Sequence, residues 1–113
     1  MSKNEDTVRL QHMSDAAKKV AAFLQGRSRS DLDSDEKLML ALLRLLEVIG
    51  EAAKSVSADF RQRHPKIAWK EIAGTRDRLI HGYFDVDLDI VWQIVTRDLP
   101  PLISELDRVI PTL

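Results

Sequence analysis

Apolar residues recur along this chain at the three-and-four spacing of an α-helix almost from end to end. Leu10, Met13, Ala17, Val20 and Leu24 form one stripe, which predicts a first helix from about Asn4 to Gln25 with Gly26 as its stop. Ser2 and Glu5 have the spacing of a capping box at its start. Gly26 to Ser34 is a polar connector, and Asp33 or Ser34 is placed to cap a second helix from about Asp35 to Val56. Asp35 and Glu36 suit the positive end of that helix. It is apolar over more than one face, through Leu38, Met39, Leu40, Leu42, Leu43, Leu45, Leu46, Val48 and Ile49. Such a helix is buried on more than one side, either at the centre of a bundle or against a second subunit.

The pattern loosens at Asp59 to His64, a polar turn region, and Pro65 fits the first position of a third helix. This helix carries Trp69, Ile72, Ala73, Leu79 and Ile80 and is expected to end near His81-Gly82. Gly74 in its interior costs about 1 kcal/mol relative to Ala and suits a close approach by another backbone or a ligand. Tyr83 to Asp87 connects to a last helix starting near Leu88, with Asp85 or Asp87 as its cap. Leu88, Val91, Val95, Leu99, Leu102, Leu106 and Ile110 keep a core stripe along it, and Pro100-Pro101 predict a kink or a fresh start. There is no strand pattern. Four main helices with short connections predict an all-α fold: an up-and-down four-helix bundle with an extra short or kinked helical segment, in a single domain over 1–113.

Composition changes this picture little. Hydrophobic residues make up 44% and charged residues 31% of the 113, as in a soluble helical protein. Cysteine is absent, which excludes disulfides and thiolate metal sites and is compatible with a reducing cytoplasm, the expected compartment. No N-terminal apolar segment reads as a secretory signal, and the longest apolar run, Leu38 to Leu43, is far too short to span a bilayer. No two histidines stand at metal-ligand spacing, and neither a Gly-rich phosphate loop nor a nucleophile elbow is present.

Charge does change it. The formal net charge is −1, yet between Arg61 and His81 six cations (Arg61, Arg63, Lys66, Lys70, Arg76, Arg78) face only Glu71 and Asp77. That local net of +4 can attract phosphate, although a solvated helix face has the same look. On a regular helix Arg76 and Tyr83 share a face, and Asp77 and His81 are neighbours four residues apart. The carboxylate of Asp77 and the negative helix end would both favour a protonated His81 and raise its pKa, which suits a general acid–base. Arg76 and His81 are separated by about 140° on an ideal helix. They converge on one phosphate only if the helix unwinds near Gly82 or if two subunits share the site.

The string Pro65…Trp69…Ile72-Ala73-Gly74…Arg76…His81-Gly82-Tyr83-Phe84 resembles the HepT-like branch of the HEPN superfamily. The family's hallmark is Arg, four residues, His, one residue, Tyr, met here by Arg76, His81 and Tyr83. Ile49-Gly50-Glu51-Ala52-Ala53 and Val91-Trp92…Asp98-Leu99-Pro100 also look like the family pattern, so the resemblance covers about Leu38 to Leu106. One departure is Asp77, where Asn is frequent in this branch.

The resemblance implies a helical homodimer with two motif copies in one cleft and metal-independent RNA cleavage without a cofactor. It also implies an antitoxin partner, MntA, a minimal nucleotidyltransferase that transfers AMP to the motif tyrosine. On that reading Arg76 and His81 are catalytic, Asp77 and Glu51 support them, Tyr83 is the modification site, and Lys70 and Arg78 contact RNA. RNA carries its own nucleophile, the 2′-OH, so such a site needs proton transfer and charge stabilisation and no metal in principle. The competing expectation is a non-catalytic HEPN module that binds a nucleotidyltransferase or a nucleotide.

Overall fold

A computed structural model describes residues 3–81 and 85–113. Helix α1 (Lys3–Leu24) packs along α3 (Glu36–Ser55), with the one-turn α2 (Asp31–Ser34) in the connector between them. Then follow α4 (Ala58–Arg63), α5 (Trp69–Ala73), α6 (Thr75–Leu79), α7 (Leu88–Gln93), a π-helical turn (Ile94–Asp98) and α8 (Leu99–Val109). Helix α3 is packed by α1, α2, α5 and α6, and α8 packs against α1. The fold is all-α, a helical bundle, as the periodicity predicts.

The predicted stripes are the core. Leu10, Met13, Ala17 and Val20 of α1, Leu42, Leu46 and Ile49 of α3, and Val91, Leu99, Leu102 and Leu106 of the last helical stretch are buried together. Each of the larger side chains contributes about 1.5–3 kcal/mol by leaving water. The central position of α3 accounts for most of its apolar surface. Leu40 is still 52% exposed, and Val8 on the neighbouring α1 is 51% exposed.

The ends of the long helices follow capping chemistry. Gly26 takes the left-handed conformation (φ +71°) that stops α1. The cap of α3 is Asp35 rather than the expected Asp33 or Ser34: its Oδ1 accepts a hydrogen bond from the Leu38 N–H at 3.0 Å. Asp33 and Ser34 are taken up by α2. Asp87 caps α7 by accepting from the Ile90 N–H at 3.1 Å. Ser2, half of the expected capping box, lies outside the described residues. The buried carboxylate of Asp6 instead ties α1 to α4, accepting from the Ser57 N–H at 2.8 Å and the Ser57 hydroxyl at 2.6 Å. Arg29 links α2 to α7 at the surface, donating to Asp33 at 3.1 Å and to Asp89 at 2.8 Å.

Three segments depart from the periodicity. The turn expected at Asp59 to His64 contains α4, capped by the Ser57 hydroxyl. The third helix does not start at Pro65, because Ile67 and Trp69 are both buried and a helix would point residues two apart in opposite directions. The connector is held instead by the Trp69 indole N–H donating to the His64 carbonyl at 2.9 Å, with the His64 ring stacked on Phe60. The third departure is the diproline. The rings of Pro100 and Pro101 would crowd the carbonyls four residues back, and the chain answers with the wide π turn, in which the Leu99 N–H reaches back to Ile94 O. Helix α8 then carries its prolines in the first turn, where no N–H is missed.

Candidate functional site

The motif segment is built differently from a continuous helix over Pro65–His81. Helix α5 ends at Gly74, α6 is only Thr75–Leu79, and the backbone turns extended at Ile80 (φ −115°, ψ 117°). Ile80 and His81 pair antiparallel with Val86 and Asp85, and the Asp87 N–H donates to Leu79 O at 2.8 Å. That carbonyl is thereby satisfied across a hairpin instead of along a helix. β-Branched Ile80 and Val86 suit such a pair. This two-residue ladder is the β structure among the described residues, and the sequence carried no strand pattern for it.

One expectation falls with the helix: Asp77 lies on α6 and His81 on extended backbone, so the two are not neighbours on a helical face. The expectation that Arg76 and Tyr83 share a helix face falls on Tyr83, outside the described residues. The angular obstacle between Arg76 and His81 also disappears, since unwinding comes at Ile80, two residues before Gly82. Gly82, Tyr83 and the His81 side chain lie outside the described part of the chain.

The cations of the basic segment fall into distinct environments. Arg78 donates to Asp98 at 3.2 Å, and Arg63 pairs with Asp59 at 3.0 Å. Lys66 borders a groove with Glu71 and Glu105, and its charge is one of those that hold the Glu105 carboxyl below its ordinary range, after the dominant bond from Arg108. Arg76, Lys70 and Arg61 have no carboxylate within ion-pair distance among the described residues. Arg76, Asp77 and Lys70 are exposed.

Arg76 borders a small recess of about 30 Å³ whose other walls include Gly50, Glu47 and Glu51 of α3. Glu51 is thus near enough to share a recess with Arg76, and its ion pair is with Lys54 at 3.7 Å. Gly50 makes this approach of α5 to α3 possible, because a Cβ there would stand 3.2 Å from the Ile72 carbonyl. Thr75, which the sequence reading passed over, is buried and donates its hydroxyl to the same carbonyl at 2.7 Å. Among the described residues no group of three His, Asp or Glu side chains is placed to hold a metal ion, and no helix is long and apolar enough to cross a membrane.

The family model described as "Ribonuclease HepT-like" matches residues 13–109, which include every element from the core stripe of α1 to α8. The chain belongs to the HepT-like ribonuclease family. It is 37% identical over 99 residues to a protein of Thermococcus cleftensis named "Probable ribonuclease HepT", covering 88% of this chain and 90% of that one. It is 38% identical over 101 residues to a protein of Caldanaerobacter subterraneus subsp. tengcongensis provisionally named an RNase, covering 89% and 90%. A third relative, from Methanocaldococcus jannaschii and also provisionally named an RNase, is 34% identical over 109 residues, covering 96% and 100%. No solved structure matches at a significant level. The HepT-like match spans the α3 segment Ile49–Ala53, the motif segment from Arg76 onward and the diproline turn, the three places where the sequence resembles the family.

Proposed function

We propose that this chain is a metal-independent endoribonuclease and the toxin of a toxin–antitoxin pair, acting in the cytoplasm with Arg76 and His81 as its catalytic groups. The observation that carries the reading is the state of Arg76. It is exposed, has no carboxylate partner among the described residues, and lies on the short helix that gives way to extended backbone at Ile80 and His81. An arginine left unneutralised beside the family's histidine is available to a phosphate.

In the proposed reaction the 2′-OH of RNA attacks the adjacent phosphorus, its oxygen–phosphorus bond forms, and the bond to the 5′-oxygen breaks. His81 removes the 2′ proton or protonates the leaving 5′-oxygen. Arg76 braces the charge that grows on the phosphorane with its planar donor fork. The products are a 2′,3′-cyclic phosphate and a 5′-hydroxyl. Asp77 and Glu51 orient these groups. Cleavage of RNA in EDTA by the wild type and not by His81→Ala tests the reading.

The working form is a homodimer through the face that α1 and α3 leave open. Val8 and Val48 line a groove of about 430 Å³ there, and Glu47 and Glu51 border both that groove and the Arg76 recess. A second copy docked on this face therefore comes next to the motif. Light scattering that found only monomer at micromolar concentration would contradict the dimer.

The partner is a minimal nucleotidyltransferase of the MntA type. The Tyr83 phenol oxygen attacks the α-phosphorus of ATP, pyrophosphate leaves, and the phenolic proton goes to solvent or base. The AMP diester then competes with RNA phosphate for Arg76 and fills the cleft.

A further inference from the structure

Helix α5 carries Ala73 between two recesses. One is the small Arg76 recess against α3. The other, of about 490 Å³, is bordered by Arg61 and Gln62 of α4 and by Trp69 and Lys70 of α5. Ala73 lines both, so the recess beside Arg76 and the recess beside Lys70 and Arg61 share a wall.

Like Lys66, these cations of the basic segment have no ion-pair partner among the described residues, whereas Arg63 and Arg78 are held by Asp59 and Asp98. Arg61 goes further: its Nε is buried without a hydrogen-bond partner. A buried guanidinium nitrogen left unpaired costs free energy unless a ligand or water satisfies the group.

We infer that Arg61 and Lys70 hold a phosphate of single-stranded RNA next to the scissile one, so that the strand runs from Arg76 over Ala73 into the recess between α4 and α5. The assignment rests on the RNA-cleaving role of Arg76 and His81 and extends it to a substrate path. Each of the two cations contacts backbone, not base, so the path is blind to sequence. Gln62 adds a neutral donor and acceptor at the recess wall. Arg63, two residues on from Arg61 along α4 and already paired with Asp59, takes no part.

The experiment is fluorescence anisotropy with a labelled 2′-O-methyl oligoribonucleotide, which binds but offers no 2′-OH for cleavage, titrated across a range of salt. Wild type, Arg61→Gln, Lys70→Gln, the double variant and Arg63→Gln are compared, each checked for helicity by circular dichroism. Lys70→Gln, on the exposed side of α5, keeps the test open if Arg61→Gln fails to fold. The double variant should bind about tenfold more weakly near 0.1 M salt, and its log–log salt slope should fall by about 0.7, the value for one lost phosphate contact on a single strand. Arg63→Gln should keep the wild-type slope.

A double variant with the wild-type slope overturns the assignment. If unmodified RNA is still cleaved by the wild type in that case, the ribonuclease reading stands and only the path is wrong. A wild type that binds the oligonucleotide through Arg61 and Lys70 yet cleaves no RNA leaves the path standing and removes the catalytic reading. A wild type that binds no RNA removes both.

Discussion

Gly50 on α3 stands so close to Ile72 on α5 that a Cβ at Gly50 would lie 3.2 Å from the Ile72 carbonyl oxygen. Backbone cannot yield as a flexible side chain does, so Gly50→Ala must push α5 away by a few tenths of an ångström. Overpacking against a carbonyl costs up to about 3 kcal/mol, and the roughly 1 kcal/mol that Ala gains over Gly inside a helix offsets part of it, which leaves an expected net cost of about 1–2 kcal/mol. A melting curve should show a midpoint roughly 5–10 °C lower. An unchanged midpoint would mean that α5 does not seat against α3 as described. Because Ala73 and Arg76 follow directly on that helix pair, activity should fall further than the loss of folded protein alone explains.

Acid should loosen the start of α3. The Leu38 N–H donates to the Asp35 carboxylate and holds its pKa below the ordinary value, with the Arg27 guanidinium at 3.1 Å adding to the effect. A carboxyl whose pKa is lower in the folded chain adds stability that is complete above its unfolded pKa, near about 4, and is lost as pH falls through the folded value. The melting midpoint of the wild type should therefore drop more steeply below about pH 4 than that of Asp35→Asn, which has no such proton to gain. Parallel pH profiles would show that the cap contributes nothing.

Much of this fold was legible because burial and helical spacing coincide. The stripes of α1, α3 and α8 are read directly from residues three and four apart, and Asp87 and Gly26 act as the caps and stops that their side chains suggest. The segment from Pro65 to His81 was not legible, because its residues serve tertiary contacts that override local periodicity. Ile67 and Trp69 are both drawn into the core. The Leu79 carbonyl bonds to Asp87 across a hairpin. The signal for the second was the β-branched pair Ile80 and Val86 flanking Gly82, too short to register as alternation. At the site, the excess of cations was visible in sequence, but not which of them would be neutralised, since Asp98 meets Arg78 from twenty residues away.

Tyr83 should gain one AMP when the protein is co-expressed with a minimal nucleotidyltransferase and ATP, and peptide mass spectrometry should place the adduct on that residue. Tyr83→Phe should escape both modification and neutralisation. An adduct on another residue, or a Tyr83→Phe protein neutralised by the partner's catalysis, would remove Tyr83 from this role.

The most direct measurement is the cleavage of RNA by the purified chain in EDTA, followed with and without substitutions at the motif. The wild type should cut and leave 2′,3′-cyclic phosphate ends. Arg76→Ala and His81→Ala should each lose about 10²-fold or more in rate, the range usual for general acid–base and charge-stabilising groups. Arg76→Lys should also fail, because a point charge does not replace a bidentate fork. Cleavage by His81→Ala at the wild-type rate would contradict the catalytic assignment. A pure wild-type protein that leaves RNA intact would contradict the ribonuclease reading and favour a HEPN module that binds without cutting.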